Sequence, residues 1–381
     1  MANVKQIYTI VNSIAEQSLG MKGLEPTDVS FVDVGRAVFA SEKNTDAWYK
    51  VLVDRIGRTV VAMRAYVGMG EELKREPFEF GAVLQKLNVK LPEAVSNGTW
   101  NSQSDAHSDP YAKKEMSVRQ KFFSVISTWE VDGTIPDVQL KTAFSSPEAM
   151  AAFIDAIFLA MNNSMELAYQ NTANLCRASF IARKSKNENG NGYINLLDIY
   201  NKKTNAGLTV DSCRRNADFL KFCTMTISLY VDRLKTMTTL FNDEGYERHT
   251  PSDMVVINVL SDFAKAFDVY LTADTYHDEM VKLPKYRTVP FWQGSGEKFD
   301  FDDTSAIKVD IDGEDEMESI ELTGVIAVLH DYDAMGVTVQ NKRTRSIYNP
   351  KDEYTNYFAK ADMGYYNDMS ENGIVFYIAE V

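Results

Sequence analysis

SSPEAMAAFIDAIFLAMNNSMELAYQNTANLCRASFIARKSK, residues 145–186, decides how this chain is read, because one helical period runs through almost all of it. Ser146 is placed to cap, Pro147 suits the first helical position, and Glu148 complements the positive end of a helix. Apolar or small groups then recur at Met150, Phe153, Ile154, Ile157, Phe158, Met161, Met165, Ala168, Thr172, Leu175, Cys176 and Phe180. That spacing keeps one face for many consecutive turns. Arg177, Arg183 and Lys184 complement the C-terminal end ahead of a stop at NENGNG, residues 187–192. With a rise of ~1.5 Å per residue the helix is roughly 50 Å long. Few compact domains need one of that length, so the stretch reads as a spine.

Composition narrows what the spine can belong to. The chain has 381 residues, enough for two or three domains or one domain with large excursions, and with 45% of them hydrophobic and 25% charged it has the profile of a folded protein. Its formal net charge is −14, which disfavours broad non-specific binding to phosphate backbones. Cys176, Cys213 and Cys223 are odd in number and form no CxxC pair, so a reducing, cytosolic setting is expected. MANVKQIYTIVNSIAEQSLG lacks the basic and apolar regions of a signal peptide. AMAAFIDAIFLAM, interrupted by Asp155, is too short and polar to span a bilayer.

On either side of the spine the pattern changes. RTVVAMRAYVG (58–68), EPFEFGAVLQKLNVKL (76–91) and SVRQKFFSVISTWEVDG (117–133) read as strands, and a polar segment of some length, SNGTWNSQSDAHSDPYAKKE, separates the last two. Residues 58–133 are expected to form a projecting β-hairpin arm, and the helical pieces before them another arm. After the spine, NGYINLLDIYNKKT and DSCRRNADFLKFCTMTISLYVDRLKTMTTLF read as helical. Met254–Leu260 reads as a buried strand, followed by a helix opening at Ser261. VDIDGEDEMES is expected as an exposed acidic segment and GVIAVLHDYDAMGVTV (324–339) as a strand-like run. In YTNYFAKADMGYYND (354–368), Tyr354, Tyr357, Phe358 and Ala361 fit one helical face, with Tyr365 and Tyr366 beyond it. SENGIVFYIAEV ends the chain as a turn and a strand.

No catalytic constellation emerges. His277, Asp278 and Glu279 are adjacent, so they point apart, and no HExxH pairing occurs. His330 with Asp331 and Asp333 reads as a turn after a buried strand, with a metal site as the competing reading. An EF-hand register counted from Gly313 puts Lys308 at the first ligand position, which carries the wrong charge. Gly294 and Gly296 form only a GxG, and Cys176 lies on the apolar stripe, where a thiol is inert core. The basic cluster NKRTRSIYNPK, with Lys342, Arg343, Arg345 and Lys351, suits either a salt-bridged protein interface or, with the nearby tyrosines, a nucleic-acid platform. Tyr is favoured at protein interfaces for its large apolar body and polar tip.

The order of arm, hairpin, spine, α/β segment and return resembles the major capsid proteins of tailed bacteriophages, which share the HK97-like fold. Three stretches carry the likeness: RHTPSDMVVINVLSDFAKAF (248–267), LPKYRTVPFWQGSG (283–296) and the C-terminal run from GVIAVLHDYDAM onward. EVDGTIPDVQLKTAFSSPEAMAAFIDAI adds the lead into the spine. The resemblance implies an α+β, HK97-like organisation with these parts: residues 1–57 as N-terminal arm, 58–133 as extended hairpin with peripheral-domain strands, and 134–189 as peripheral domain with the spine. It further implies an axial domain at 190–338 and a C-terminal return to the peripheral domain at 339–381. It implies a structural, non-enzymatic protein without cofactor or metal, whose copies form hexamers and pentamers of an icosahedral head around double-stranded DNA. Expected partners are further copies, a separate scaffolding protein, a portal and decoration proteins. Assembly is expected in the bacterial host cytoplasm, and no membrane is involved. Trp100, Tyr111, Lys342, Arg343, Arg345, Tyr365 and Tyr366 are the candidate subunit-contact residues. An encapsulin-like compartment shell shares the fold and stands as the alternative, with a metal-dependent hydrolase using His277 or His330 behind it. A Lys–Asn cross-link, known in some relatives, is not matched by Lys74, Lys86, Lys90, Lys113 or Lys114.

Overall fold

The computed structural model describes residues 70–75, 84–92, 115–123, 126–143, 147–187, 191–274, 285–293, 300–312 and 317–380, with a few isolated positions besides. Two compact units result. One comprises Met1–Pro77, Ile126–Ala173 and Val337–Tyr365; the other comprises Phe78–Val125, Asn174–Gly336 and Tyr366–Val381. The helical piece VKQIYTIVNSIAEQ, all but Gly68 of the strand expected at 58–68, Trp100 and the His277–Glu279 cluster lie outside the described residues.

The first unit is built on a four-stranded sheet in the order β1 (Lys74–Arg75), β11 (Met335–Asn349), β12 (Tyr354–Asn367) and β4 (Ile126–Pro136). β12 and β4 run antiparallel, in register from Tyr354↔Pro136 to Gly364↔Ile126. The tyrosine-rich stretch is therefore a strand, and the helical face assigned to Tyr354, Tyr357, Phe358 and Ala361 is corrected. Thr355, Tyr357, Ala359, Ala361 and Met363 are buried, whereas Asn356, Phe358, Lys360 and Asp362 between them are half-exposed. That is the period of two that a sheet with one covered face imposes. Opposite Tyr357 stands Gly133, and a Cβ built there would lie 1.8 Å from Tyr357 Cζ. The phenol ring fills the place of the missing side chain.

The spine, α2 (Pro147–Lys186), follows a short helix α1 (Asp137–Ala143). Its length agrees with the helical period of the sequence. Residues as far as Ala173 belong to the first unit and those from Asn174 to the second. Met161, Ala168, Thr172, Cys176 and Phe180 are buried as the stripe requires, but Leu175 is exposed. Lys184, one of the charges expected to complement the C-terminal end of the helix, is fully buried: its Nζ donates to Phe241 O at 3.1 Å and to Asp243 Oδ1 at 2.8 Å. Burial outweighs the Asp243 carboxylate and pushes the Lys184 ammonium below its ordinary pKa.

The second unit centres on a five-stranded sheet ordered β5 (Tyr193–Asn195), β13 (Gly373–Tyr377), β10 (Val325–Asp331), β6 (Val255–Leu260) and β7 (Arg287–Val289). β10 is buried along its whole length and pairs antiparallel with both β13 and β6. Helices α3 (Leu196–Thr204), α5 (Ala217–Leu234) and α6 (Ser261–Asp274) pack with the sheet and one another, and short helices α4 (Val210–Cys213) and α7 (Phe301–Ser305) close loops. Asn195, Thr209, Asn216 and Asp300 cap α3, α4, α5 and α7 through side-chain oxygens. Gly373 admits the Phe180 ring, whose Cζ would lie 2.4 Å from an added Cβ.

Three sequence expectations change here. The acidic segment forms a hairpin of β8 (Ile307–Asp312) and β9 (Met317–Leu322), with Ile307, Val309, Ile311 and Ile320 buried; alternation hides apolar groups behind the exposed charges. The run 324–339 breaks into β10 and β11 at a turn, Tyr332–Ala334, where Asp331 accepts from the Asp333 backbone N at 2.9 Å. Residues 339–381 do not stay together: β11 and β12 serve the first sheet, while β13 is the second strand of the other.

Candidate assembly surfaces

The described part of the hairpin is one strand pair. β2 (Leu84–Val89) pairs with β3 (Val118–Phe123), while the rest of the 117–133 run becomes β4 of the other unit's sheet. Pairing sorts its side chains onto two faces. Gln85 opposes Phe122, Leu87 opposes Gln120 and Val89 opposes Val118, and all six are exposed. Leu87, Val89, Val118 and Phe122 keep 57%, 51%, 53% and 61% of their surface in water, so this face exposes four large apolar side chains beside Gln85 and Gln120.

The opposite face is charged and docked. Lys86 and Lys121 stand directly across from each other, and both reach Asp368, whose side chain is fully buried. Lys86 Nζ lies 2.6 Å from Asp368 Oδ2 and 2.7 Å from Glu371 Oε1; Lys121 Nζ lies 2.9 Å from Asp368 Oδ1 and also pairs with Glu244. Asn88 donates to Ser370 Oγ at 3.2 Å and accepts from Arg248. Asp368 is itself held by the Ser370 backbone N at 3.0 Å and hydroxyl at 2.7 Å. Burial alone would raise its carboxyl pKa, but Lys86, Ser370 and Lys121 overcome that and hold it at about 2. The same contacts raise Lys86 despite its partial burial. Asp331, by contrast, is raised by burial.

A second surface lies on β11. Lys342, Arg343 and Arg345 are exposed there, with Ile347 at 62% exposure. Arg343 grips Asp362 of β12 with two parallel bonds, Nη1 to Oδ2 at 3.0 Å and Nη2 to Oδ1 at 3.1 Å. Arg343, Thr128 and Asn341 together hold the Asp362 carboxyl at about 2.

Of the seven residues singled out from sequence, Trp100 lies outside the described residues. Lys342, Arg343 and Arg345 share β11, with Lys342 on the face opposite the other two by strand alternation. Tyr365 and Tyr366 end β12 half-buried, Tyr366 with its ring 5.3 Å from that of Phe123. Tyr111 is 89% exposed. The docking set of Lys86, Asn88, Lys121, Asp368 and Glu371 was missed. Its signal was the run Lys86, Leu87, Asn88, Val89, in which polar and apolar residues alternate. Among the described residues no group of three or more His, Cys, Asp or Glu is placed to hold a metal, and no helix is long and apolar enough to cross a membrane. His330 is buried in β10, its Nδ1 2.7 Å from Asp331 O and its Nε2 3.3 Å from Asn258 Nδ2.

This arrangement of strands and helices is that of phage shells. The capsid structure of Staphylococcus phage Andhra matches with a TM-score of 0.57 at 9% identity, over 84% of this chain and 86% of that one. The capsid structure of Cyanophage P-SCSP1u matches with a TM-score of 0.50 at 11% identity, over 84% and 91%. The fold is the HK97-like fold of capsid proteins, of mixed helix and sheet. A family model described as Phi29-like phage major capsid protein matches residues 15–377, and the chain belongs to that family of tailed-phage head proteins. The major capsid protein of Streptococcus phage Cp-1 is 26% identical over 123 residues; the match spans 32% of this chain and 32% of that relative's length.

Proposed function

We propose that copies of this chain build the shell of a phage head, joining as hexamers and pentamers around double-stranded DNA. The family match across residues 15–377 is the observation that carries this reading. In it, the first unit serves as peripheral domain and the α/β unit as axial domain. The hairpin's apolar face lies over a neighbouring copy, which takes Leu87, Val89, Val118 and Phe122 out of water. Tyr111 and the β11 residues Lys342, Arg343 and Arg345 join contacts between copies, as do Trp100, Tyr365 and Tyr366. A separate scaffolding protein directs closure in the host cytoplasm, a portal occupies one vertex, and decoration proteins bind outside. The protein acts structurally, without catalysis or cofactor.

Electron microscopy and sedimentation of the chain, expressed alone and with its neighbouring phage genes, test the reading. Closed shells, tubes or rings of six are expected. A chain that stays monomeric in both settings refutes it.

A further inference from the structure

The hairpin carries a contradiction that only its docking site resolves. Lys86 and Lys121 are direct cross-strand partners, and like charges in that relation push the strands apart. One fully buried carboxylate, Asp368, stands between them, with an oxygen turned to each ammonium. Asp368 has little freedom: its backbone N donates to Ala334 O at 2.7 Å, and Ser370 fixes its Oδ1 by two hydrogen bonds. Contacts from three hairpin residues, Lys86 and Asn88 of β2 and Lys121 of β3, thus end on a turn of four residues, 368–371, between β12 and β13. Glu371 and Glu244 take up the remaining charge of the lysines, and Arg248 bridges Asn88 and Glu371, the latter at 3.6 Å.

We infer that the 368–371 turn is a keyed seat that sets the direction in which the hairpin leaves the α/β unit, with Asp368 as its positioning residue. Resting on the shell-building reading, this seat aims the apolar face of Leu87, Val89, Val118 and Phe122 at the adjacent copy. The opposite, charged face supplies no contact to that copy; its work is to hold the angle. Apolar packing at the root would hold the hairpin as firmly but would tolerate sliding, whereas paired charges and a fixed hydrogen-bonded turn accept one register.

Hydrogen exchange on the unassembled full-length chain, compared with shell yield by sedimentation, tests the seat. In Asp368→Asn, amides of β2 and β3 are expected to exchange faster by on the order of a hundredfold, as for a buried pair left without one partner. Strands β10 and β13 are expected to keep their protection, and shell yield to fall. Adding Lys86→Gln and Lys121→Gln to Asp368→Asn removes the repulsion and is expected to restore much of the hairpin's protection. Unchanged hairpin exchange overturns the inference, as does an equal loss across β10 and β13, which would make Asp368 a general stability residue. Normal shell yield from a loosened hairpin overturns its role in assembly. If the parent chain itself forms no shell with its neighbouring genes, the shell reading fails separately, and the exchange result still decides whether the seat exists.

Discussion

Replacing Gly133 by Ala isolates one contact that holds the first unit's sheet. A strand glycine exposed to water would gain about 0.5–1 kcal/mol on conversion to Ala, from reduced chain entropy. Here the new Cβ would lie 1.8 Å from Tyr357 Cζ and 1.9 Å from its Oη, distances no methyl can share with a ring. Tyr357 is only 9% exposed, so the ring must leave a covered position or the two strands must part. Losing the burial of a large side chain costs roughly 1.5–3 kcal/mol, and forced repacking costs about 1–3 kcal/mol. Gly133→Ala is therefore expected to destabilise by roughly 2–4 kcal/mol, net of the entropy gain. Urea-unfolding midpoints of the unassembled chain measure it. The decisive comparison is with Tyr357→Ala: in that background the space is vacant, and Gly133→Ala should be neutral or stabilising. Equal destabilisation in both backgrounds would refute the reasoning, because the cost would then have nothing to do with the ring.

Three further outcomes follow from the charges. Asp368 has its pKa lowered from 3.8 to about 2, so its stabilisation is full above about pH 4 and disappears as the pH falls towards 2. The unfolding free energy of the parent should drop across that window by about 2 kcal/mol more than that of Asp368→Asn; parallel pH profiles would deny the depressed pKa. For the Lys184–Asp243 pair, removing the acid should hurt more than removing the base. Asp243→Ala strands a fully buried ammonium, at a cost of about 3–5 kcal/mol, whereas Lys184→Met leaves a carboxylate that water can reach; thermal melts giving the reverse order would contradict this. Arg343→Ala, by contrast, should leave the melting midpoint close to that of the parent, since Arg343 is exposed and its pair with Asp362 is screened. An assembly defect in that variant would thus report contact between copies rather than stability.

What could be read from sequence was what local periodicity dictates. The spine was legible because its apolar stripe, its Pro147 start and its glycine-rich stop are all local, and the observed helix, Pro147–Lys186, keeps those limits. β6 and α6 were legible for the same reason. The tyrosine-rich strand was misread because Tyr354, Tyr357, Phe358 and Ala361 satisfy helical spacing by chance. Thr355, Tyr357, Ala359, Ala361 and Met363 satisfy strand spacing, but three of the five, Thr355, Ala359 and Ala361, are small and carry little hydrophobic weight. Their burial comes from covering the sheet, which no window of sequence contains. Lys184 is legible in the sequence only as a charge that complements a helix end; its burial depends on Asp243, 59 positions away, which no local pattern contains. The Asp368 seat joins residues 86, 88, 121, 248 and 368–371, and that convergence is a property of topology alone.

The magnitude of the hairpin's apolar face bears on how a shell of such copies would form. Leu87, Val89, Val118 and Phe122 are each a little over half exposed, so covering what remains yields roughly 1–1.5 kcal/mol apiece, or about 4–6 kcal/mol together. Bringing two copies together costs an estimated 4–15 kcal/mol in lost translational and rotational freedom. One hairpin contact therefore leaves a pair of copies at or below the edge of association. Once a ring closes, each added copy meets two neighbours for a single loss of freedom, and the same contact becomes strongly favourable by effective concentration. Weak single contacts let a misplaced copy leave before closure traps it. In this scheme the direction of the hairpin matters more than its affinity. A contact worth so little tolerates no misalignment, and a rigid, charge-keyed root at Asp368 places the available binding energy where the next copy stands.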